Sequence, residues 1–304
     1  MKKLLTAAAA VVFAVVMAVS MSACGTAQSL KIIPVSLSDE DYGIAVQEGD
    51  PKGLLTEINK IVSGVYSADG YEYEGKTYKV SDWMDAEAEA ASDNRQISIG
   101  EVLTSVPAGE DANEYFVVST NAEFPPFEYR ISENEFGGVD MQLAKLVADV
   151  LGKTLVIHNI DFDAIFEELA GGKADAAMAG ITINDLREQT MDFSSPYYNS
   201  TQMIAVASDD TTFDGCTTEE QVVAKLKELE GVTAGAAKGQ TGYYYLFGDG
   251  DESAYGFEGF KNLTVNPYRS VLAAVQDLSN GKVKVVCADK DTLSITVESV
   301  NNAL

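Results

Sequence analysis

Residues 115–151 read YFVVSTNAEFPPFEYRISENEFGGVDMQLAKLVADVL. Tyr115–Ser119 is an apolar run of strand length, broken by a Pro-Pro turn. From Val139 to Leu151 the spacing changes. Leu143, Leu146, Val147, Val150 and Leu151 then share one helical face, and Gly152 ends it. Strand-length runs recur at Ala174–Met178, Met203–Ala207, Val232–Ala236 and Val283–Cys287. Helical spacing recurs through Leu54, Leu55, Ile58, Ile61, Val62 and Val65, behind Asp50-Pro51 as N-cap and first-turn proline. Thr217 and Glu220 suggest a capping box ahead of Val222, Val223, Leu226 and Leu229. A further helix is predicted from about Tyr268 to Leu278. Strands alternating with helices at this spacing predict an α/β chain with parallel sheets.

The 304 residues, 46% hydrophobic and 22% charged, suffice for one large or two modest domains. Lys+Arg 21 against Asp+Glu 47 gives a net charge of −26, which excludes nucleic acid as a partner. A single histidine, His158, argues against a His-based metal site and against Ser-His-Asp chemistry. Three cysteines are too few for a disulfide scaffold. Cys216 and Cys287 could pair in an oxidising compartment, but their spacing does not fix a distance. No cofactor and no metal is expected.

Met1-Lys2-Lys3 precedes an apolar run from Leu4 to Val19 and the small residues Ser20–Gly25, the pattern of a secretory signal over residues 1–23. Ser22-Ala23-Cys24 resembles a bacterial lipobox. That resemblance implies lipidation of Cys24, a tether over residues 24–29, and a protein anchored on the extracellular face of the cell membrane. The acidic, Ala/Ser-rich stretch Asp85–Pro107, extended by Ala108–Asn113, reads as a linker with at most one helix and no share in a core.

Several blocks carry a family resemblance. They are Thr120–Glu128, Gly138-Val139-Asp140, Ala176–Thr182 with Arg187 five places on, and Asp192–Tyr198. In this order, from Tyr115 to Asp289, the chain resembles the solute-binding proteins of polar amino acid ABC importers. Gln142 stands where that family usually has an acid. The resemblance implies a two-lobed, type II periplasmic-binding-protein-like fold with a hinge, an amino acid ligand, an ABC transporter permease as partner, and a monomer.

It also implies site residues. Arg187 would clamp the ligand carboxylate bidentately, which a Lys cannot do. Gly180 and Thr182 would offer backbone N–H groups ahead of a helix start near Asn184. Phe124 and Phe162 would wall the ligand, although Phe162 also has the spacing of a core residue beside Ile165 and Phe166. Thr241, in the Lys238–Gly242 turn, would touch the carboxylate, Asp289 would pair with the α-ammonium, and Asn121, Ala237 and Ala288 would flank the pocket. Glu123 would attract a basic side chain or face solvent.

One departure concerns order. The family usually closes with a Tyr-Gly-Ile-Ala-Val strand, a Gly-Asp turn, a helix and a tail bearing Trp. Here Tyr42–Val46, Gly49-Asp50, the Leu54–Tyr66 helix and Trp83 stand at the front. Joining Leu304 to Leu30 restores the usual order, so a circular permutant is expected. Lobe 1 would span residues 44–205, with 85–113 linking the family's usual termini. Lobe 2 would combine 30–43 with 206–304, and crossover strands near Gly43–Val46 and Met203–Ala207 would form the hinge. The competing readings are a dehydratase-like enzyme on the same fold and a ligand-sensing domain.

Overall fold

The computed structural model describes residues 27–249 and 255–304. The predicted leader and Cys24 lie outside the described residues. The first elements are β1 (Leu30–Ile33), β2 (Asp39–Tyr42), β3 (Ala45–Gln47) and α1 (Leu55–Tyr66). α1 turns the predicted stripe of Ile58, Ile61, Val62 and Val65 inward. The Asp50 carboxylate accepts from the N–H groups of Leu54 and Leu55 at 2.8 and 3.0 Å, so it caps from ahead of the first turn and Pro51 stays outside the helix.

A hairpin of β4 (Tyr71–Tyr73) and β5 (Lys76–Tyr78) leads into α2 (Val80–Ser92). The predicted linker therefore begins inside a helix, and it does touch the core. Glu87 and Ala90 are buried, and Ile99 and Val102 pack against the main apolar cluster. Their N–H groups donate to the carbonyls of Phe136 and Asn134, which fixes this segment along the protein surface.

Next come β6 (Tyr115–Thr120), the short strands β7 (Glu123–Phe124), β8 (Glu128–Arg130) and β9 (Phe136–Gly137), and α3 (Val139–Val150). The turn into α3 requires glycine. Gly138 has φ +106, and a Cβ there would lie 2.3 Å from the Phe127 carbonyl oxygen. β10 (Thr154–Asn159), α4 (Phe162–Ala170), β11 (Ala176–Ala177) and β12 (Met191–Phe193) complete a sheet of order β10-β6-β11-β3-β12. β10, β6 and β11 run parallel, whereas β3 is inserted antiparallel to both β11 and β12.

β13 (Tyr198–Ala207) leaves this lobe and enters the second. There α5 (Glu219–Glu228), β14 (Val232–Ala237), α6 (Thr241–Phe247), β15 (Leu263–Tyr268), α7 (Val271–Ser279), β16 (Val285–Asp289) and α8 (Lys290–Asn302) follow. The second sheet has the order β1-β13-β16-β14-β15. The helix foreseen from Tyr268 begins only at Val271, with the Ser270 hydroxyl accepting from Ala273 N–H. Residues 263–268 form an edge strand, where Pro267 costs no ladder bond on the solvent side. α5 starts at Glu219 behind Thr218, one residue later than the capping box implied, because Thr217 instead donates its N–H to Gln221.

The connection between lobes also differs in detail. Gly43–Val46 and Met203–Ala207 run into the two sheets. The paired crossing is Asp39–Tyr42 against Tyr198–Thr201, an antiparallel ribbon with Tyr42 opposite Tyr198 and Glu40 opposite Ser200. Residues 202–205 already pair with β16, so the change of lobe falls before Gln202, not after Ala205. No helix among the described residues is long and apolar enough to cross a membrane.

Glu87 on α2 gives a test of this packing. Burial pushes its carboxyl up to about 7, although Tyr129 Oη–H and the Gln142 amide donate to it at 2.8 and 3.3 Å. An acid at position 142 would place a like charge there, which accounts for Gln142. The folded state therefore holds a proton that the unfolded chain releases near 4.5. The associated stability is complete below that pH and is lost as pH rises through about 7. Glu87→Gln is neutral throughout, so its melting temperature should gain on wild type as pH rises from acid to neutral. Parallel melting profiles for the two proteins would contradict the burial.

Candidate functional site

The side chains of a strand alternate between faces, so Glu40 and Tyr42 of β2 point the same way. Both point at Asp289, the last residue of β16. Tyr42 Oη–H donates to Asp289 Oδ1, and Ser200 of β13 reaches the same oxygen at 3.5 Å. Gln202 Nε2 donates to Glu40 Oε1. The other Glu40 oxygen accepts from the hydroxyls of Thr182 and Thr241, at 2.5 and 2.7 Å. Those two hydroxyls lie 3.1 Å apart, where the two lobes meet.

The loop from Ala179 to Thr182 supplies the opposite wall. Gly180 has φ +53, and a Cβ on it would stand 2.8 Å from the Phe124 ring. Its N–H donates to Asp140 Oδ2 at 2.9 Å, while Asp140 Oδ1 accepts from Tyr197 Oη–H at 2.7 Å. Asp140 thus orients the loop from below, and burial pushes its carboxyl up to about 7. The helix start foreseen near Asn184 is absent. The Asn184 side chain instead accepts from the N–H of Arg187, which opens a short 3₁₀ turn.

Arg187 donates from Nη1 to the Thr182 carbonyl at 2.8 Å and from Nη2 to the Gly239 carbonyl at 3.5 Å. Its guanidinium carbon stands 5.7 and 5.0 Å from the ring centroids of Phe162 and Phe166, within cation–π range. Phe162 is only partly buried and lines the cleft, and Phe166 backs the guanidinium.

These residues surround a narrow, nearly closed cleft with a free volume of about 10 Å³. Phe124, Phe162, Gly180, Thr182, Arg187, Thr241 and Asp289 all line it. Asn121 does not. Its amide is committed to the Ile160 carbonyl at 2.9 Å, holding the loop ahead of α4. Ala237 and Ala288 are core residues. Glu123 pairs with the exposed Arg269 at 2.9 Å, away from the cleft lining. Three lining residues went unforeseen, Glu40, Ala179 and Gln240. Glu40 sits in Asp39-Glu40-Asp41, which reads as a solvated acidic run. The available signal was the two-residue step from Glu40 to Tyr42 in a strand.

The electrostatics of the cleft are asymmetric. At one end a guanidinium faces two aromatic rings. At the other, burial and the neighbouring Glu40 carboxylate push the Asp289 carboxyl well above the usual range, with Tyr42 Oη–H opposing the shift. Across the rim, Lys238 of the second lobe pairs with Asp163 of the first at 2.6 Å. That contact and the Glu123–Arg269 pair join the lobes at the surface, where solvent screening leaves exposed ion pairs weak.

Residues 116–290, more than half of the chain, match the family described as bacterial extracellular solute-binding proteins, family 3. The chain belongs to that family. Among family 3 relatives, a Neisseria gonorrhoeae protein named "Probable histidine-binding protein" is 30% identical over 202 residues, 64% of this chain and 66% of that one. The arginine-binding extracellular protein of Bacillus subtilis is 28% identical over 136 residues, 45% of this chain and 49% of its own length. The chain thus spans about half to two thirds of these relatives. The cyclohexadienyl dehydratase of Pseudomonas aeruginosa is 32% identical over 118 residues, 38% of this chain and 41% of the enzyme. Among solved structures, an ancestral arginine-binding protein bound to arginine has a TM-score of 0.51 at 29% identity, covering 62% of this chain and 76% of that one. The family match starts inside β6 and stops as α8 begins, so β1 to α2 stand outside it.

Two remaining expectations concern reactive side chains. Cys216 and Cys287 are both free, and Cys287 is buried in β16. His158 pairs with Glu168 at 3.0 Å on the far strand of the first sheet and does not line the cleft.

Proposed function

We propose that this protein captures an amino acid zwitterion between its lobes and presents it to the permease of an ABC importer. One observation carries the reading. A forked guanidinium at one end of the cleft and a buried carboxyl pair at the other match the carboxylate and ammonium of an α-amino acid. In these roles Arg187 and Thr241 hold the carboxylate, Thr182 and Gly180 complete that end, Asp289 takes the ammonium, and Phe124 and Phe162 stack on the side chain. With both carboxylates ionised, Glu40 and Asp289 outweigh Arg187 by one charge, which favours a cationic side chain. The arginine- and histidine-binding names of the relatives agree with that preference. A ligand that binds only the folded state raises the melting temperature. L-arginine should therefore raise it more than L-glutamine, with L-histidine between. No shift with any of the three would end this reading.

The extracellular, lipid-anchored placement rests on the leader and Cys24. Cys24→Ser should move the protein from the membrane fraction to the medium. The permuted segment order draws support from packing. The N–H of Leu30 donates to the Asn301 side chain at 2.8 Å, and Asn301 donates back to the Leu30 carbonyl at 3.0 Å. Ile33 and Val35 share a core with Val285 and Cys287, while α1 packs with Phe116 and Phe124 of the other lobe.

A dehydratase-like activity has one observation in its favour, since a buried carboxyl of raised pKa is what a general acid needs. Loss of a cyclic amino acid precursor on incubation with the protein, followed by mass spectrometry, separates turnover from capture.

A further inference from the structure

Asp289 and Glu40 line the same cleft as neighbouring buried carboxyls, with 3% and 7% of their surfaces exposed. Their hydrogen-bond partners are donors. Tyr42 and Ser200 serve Asp289, while Gln202, Thr182 and Thr241 serve Glu40. No ammonium or guanidinium among the described residues neutralises the pair directly. Arg187, the one cation lining the cleft among the described residues, is held against Phe162 and Phe166 by its bonds to Thr182 and Gly239. Two neighbouring carboxylates in a desolvated site repel each other, and burial together with Glu40 pushes the Asp289 carboxyl well above its usual range, which favours a proton held at the pair.

Other titratable groups face the pair. Tyr42 comes from β2, Cys287 from β16, and Glu128 from the first lobe. These three are acids or weak acids, and Lys290 at the hinge surface is a cation near Glu40. At the hinge surface Asp39, Asp41, Asp291 and Lys290 flank Glu40, with Tyr198 donating to Asp291 at 2.8 Å. Toward the cleft mouth, Tyr255 stands 3.4 Å from the Thr241 hydroxyl.

We propose that Glu40 and Asp289 hold one shared proton across the closed cleft and that the ligand's α-ammonium displaces it, making amino acid capture a proton-releasing step. The inference rests on the amino acid reading given above and adds Glu40 as its second ammonium acceptor. No covalent bond changes. The ammonium brings a positive charge to the pair, both carboxylates become anions, and the displaced proton goes to bulk buffer. The proton count is near one wherever the pH lies above the pair's pKa with ligand bound and below its raised pKa without it. Within that window affinity falls as pH falls, by up to about tenfold per pH unit.

The test is calorimetric titration of the mature protein with L-arginine between about pH 5 and 8, in buffers of different ionisation enthalpy. Wild type should release close to one proton per ligand within the window, and Glu40→Gln well under half of that. No release from wild type, or equal release from the variant, overturns the proposal. A ligand-free arm separates this result from failure of the ligand reading. The shared proton makes the folded state hold one proton more than the unfolded chain, so wild-type stability declines as pH rises toward the pair's pKa. Glu40→Gln, and Asp289→Asn as a second variant, should each lose about one proton from that slope. If L-arginine, L-histidine and L-glutamine all fail to bind, the amino acid reading has failed, and unchanged slopes would still refute the shared proton.

Discussion

Arg187→Ala should lose ligand affinity by about 30-fold to several thousand-fold while melting close to wild type. The range corresponds to truncating one member of a buried charged contact, about 2–5 kcal/mol. The fold should tolerate the change because the guanidinium bonds only to the carbonyls of Thr182 and Gly239, and its turn is held separately by Asn184. Arg187→Lys keeps the charge and loses the planar fork, so it should recover only part of the affinity. Asp289→Ala should fall in the same range, since it removes the acceptor at the opposite end. Phe124→Ala should cost less, because stacking contributes about 0.5–1.5 kcal/mol beyond the buried area. Calorimetry showing near-normal affinity for Arg187→Ala would remove the site assignment.

Removing residues 30–94 should abolish cooperative folding altogether. The cut takes β3 from the interior of the first sheet, leaving β11 and β12 without their shared partner. It also strips α1, whose Ile58, Ile61 and Val62 are fully buried, and β1 from the edge of the second sheet. The ribbon between lobes would lose β2, one of its two strands. Losses of this kind reach both cores, and burial of a single such side chain is worth about 1.5–3 kcal/mol. Joining Leu304 to Leu30 and opening the chain within Ala108–Asn113 should instead preserve folding and ligand binding. Its new ends fall in exposed positions, and residues 30 and 301 are already hydrogen-bonded. A 30–94 deletion that still melts sharply would show that segment to be an appendage.

Most of the fold could be read along the chain because hydrophobic periodicity reports which face of one element is buried. The stripes of α1 and α3, and the runs that became β6, β14 and β16, needed no other information. Element ends were less legible. Thr217 could cap either through its own hydroxyl or through the chain, and only the position of Gln221 settled it. The Leu263–Tyr268 strand was hidden by Pro267, which an edge position tolerates.

The site divides in the same way. Phe124, Gly180, Thr182, Arg187, Thr241 and Asp289 match positions of the family that the chain resembles, and that resemblance, not spacing, pointed to a shared cleft, which all six line. Glu40 could not be anticipated. It bonds to Gln202 and Thr241, 162 and 201 residues away, and its burial exists only where two lobes close over the ribbon. Asn121 and Glu123 illustrate the converse. Both sit inside a recognisable block, yet a carbonyl of Ile160 and a guanidinium of Arg269 claim their side chains. Local pattern sets what a residue is able to do, whereas desolvation and charge pairing depend on distances that exist only after the chain has closed.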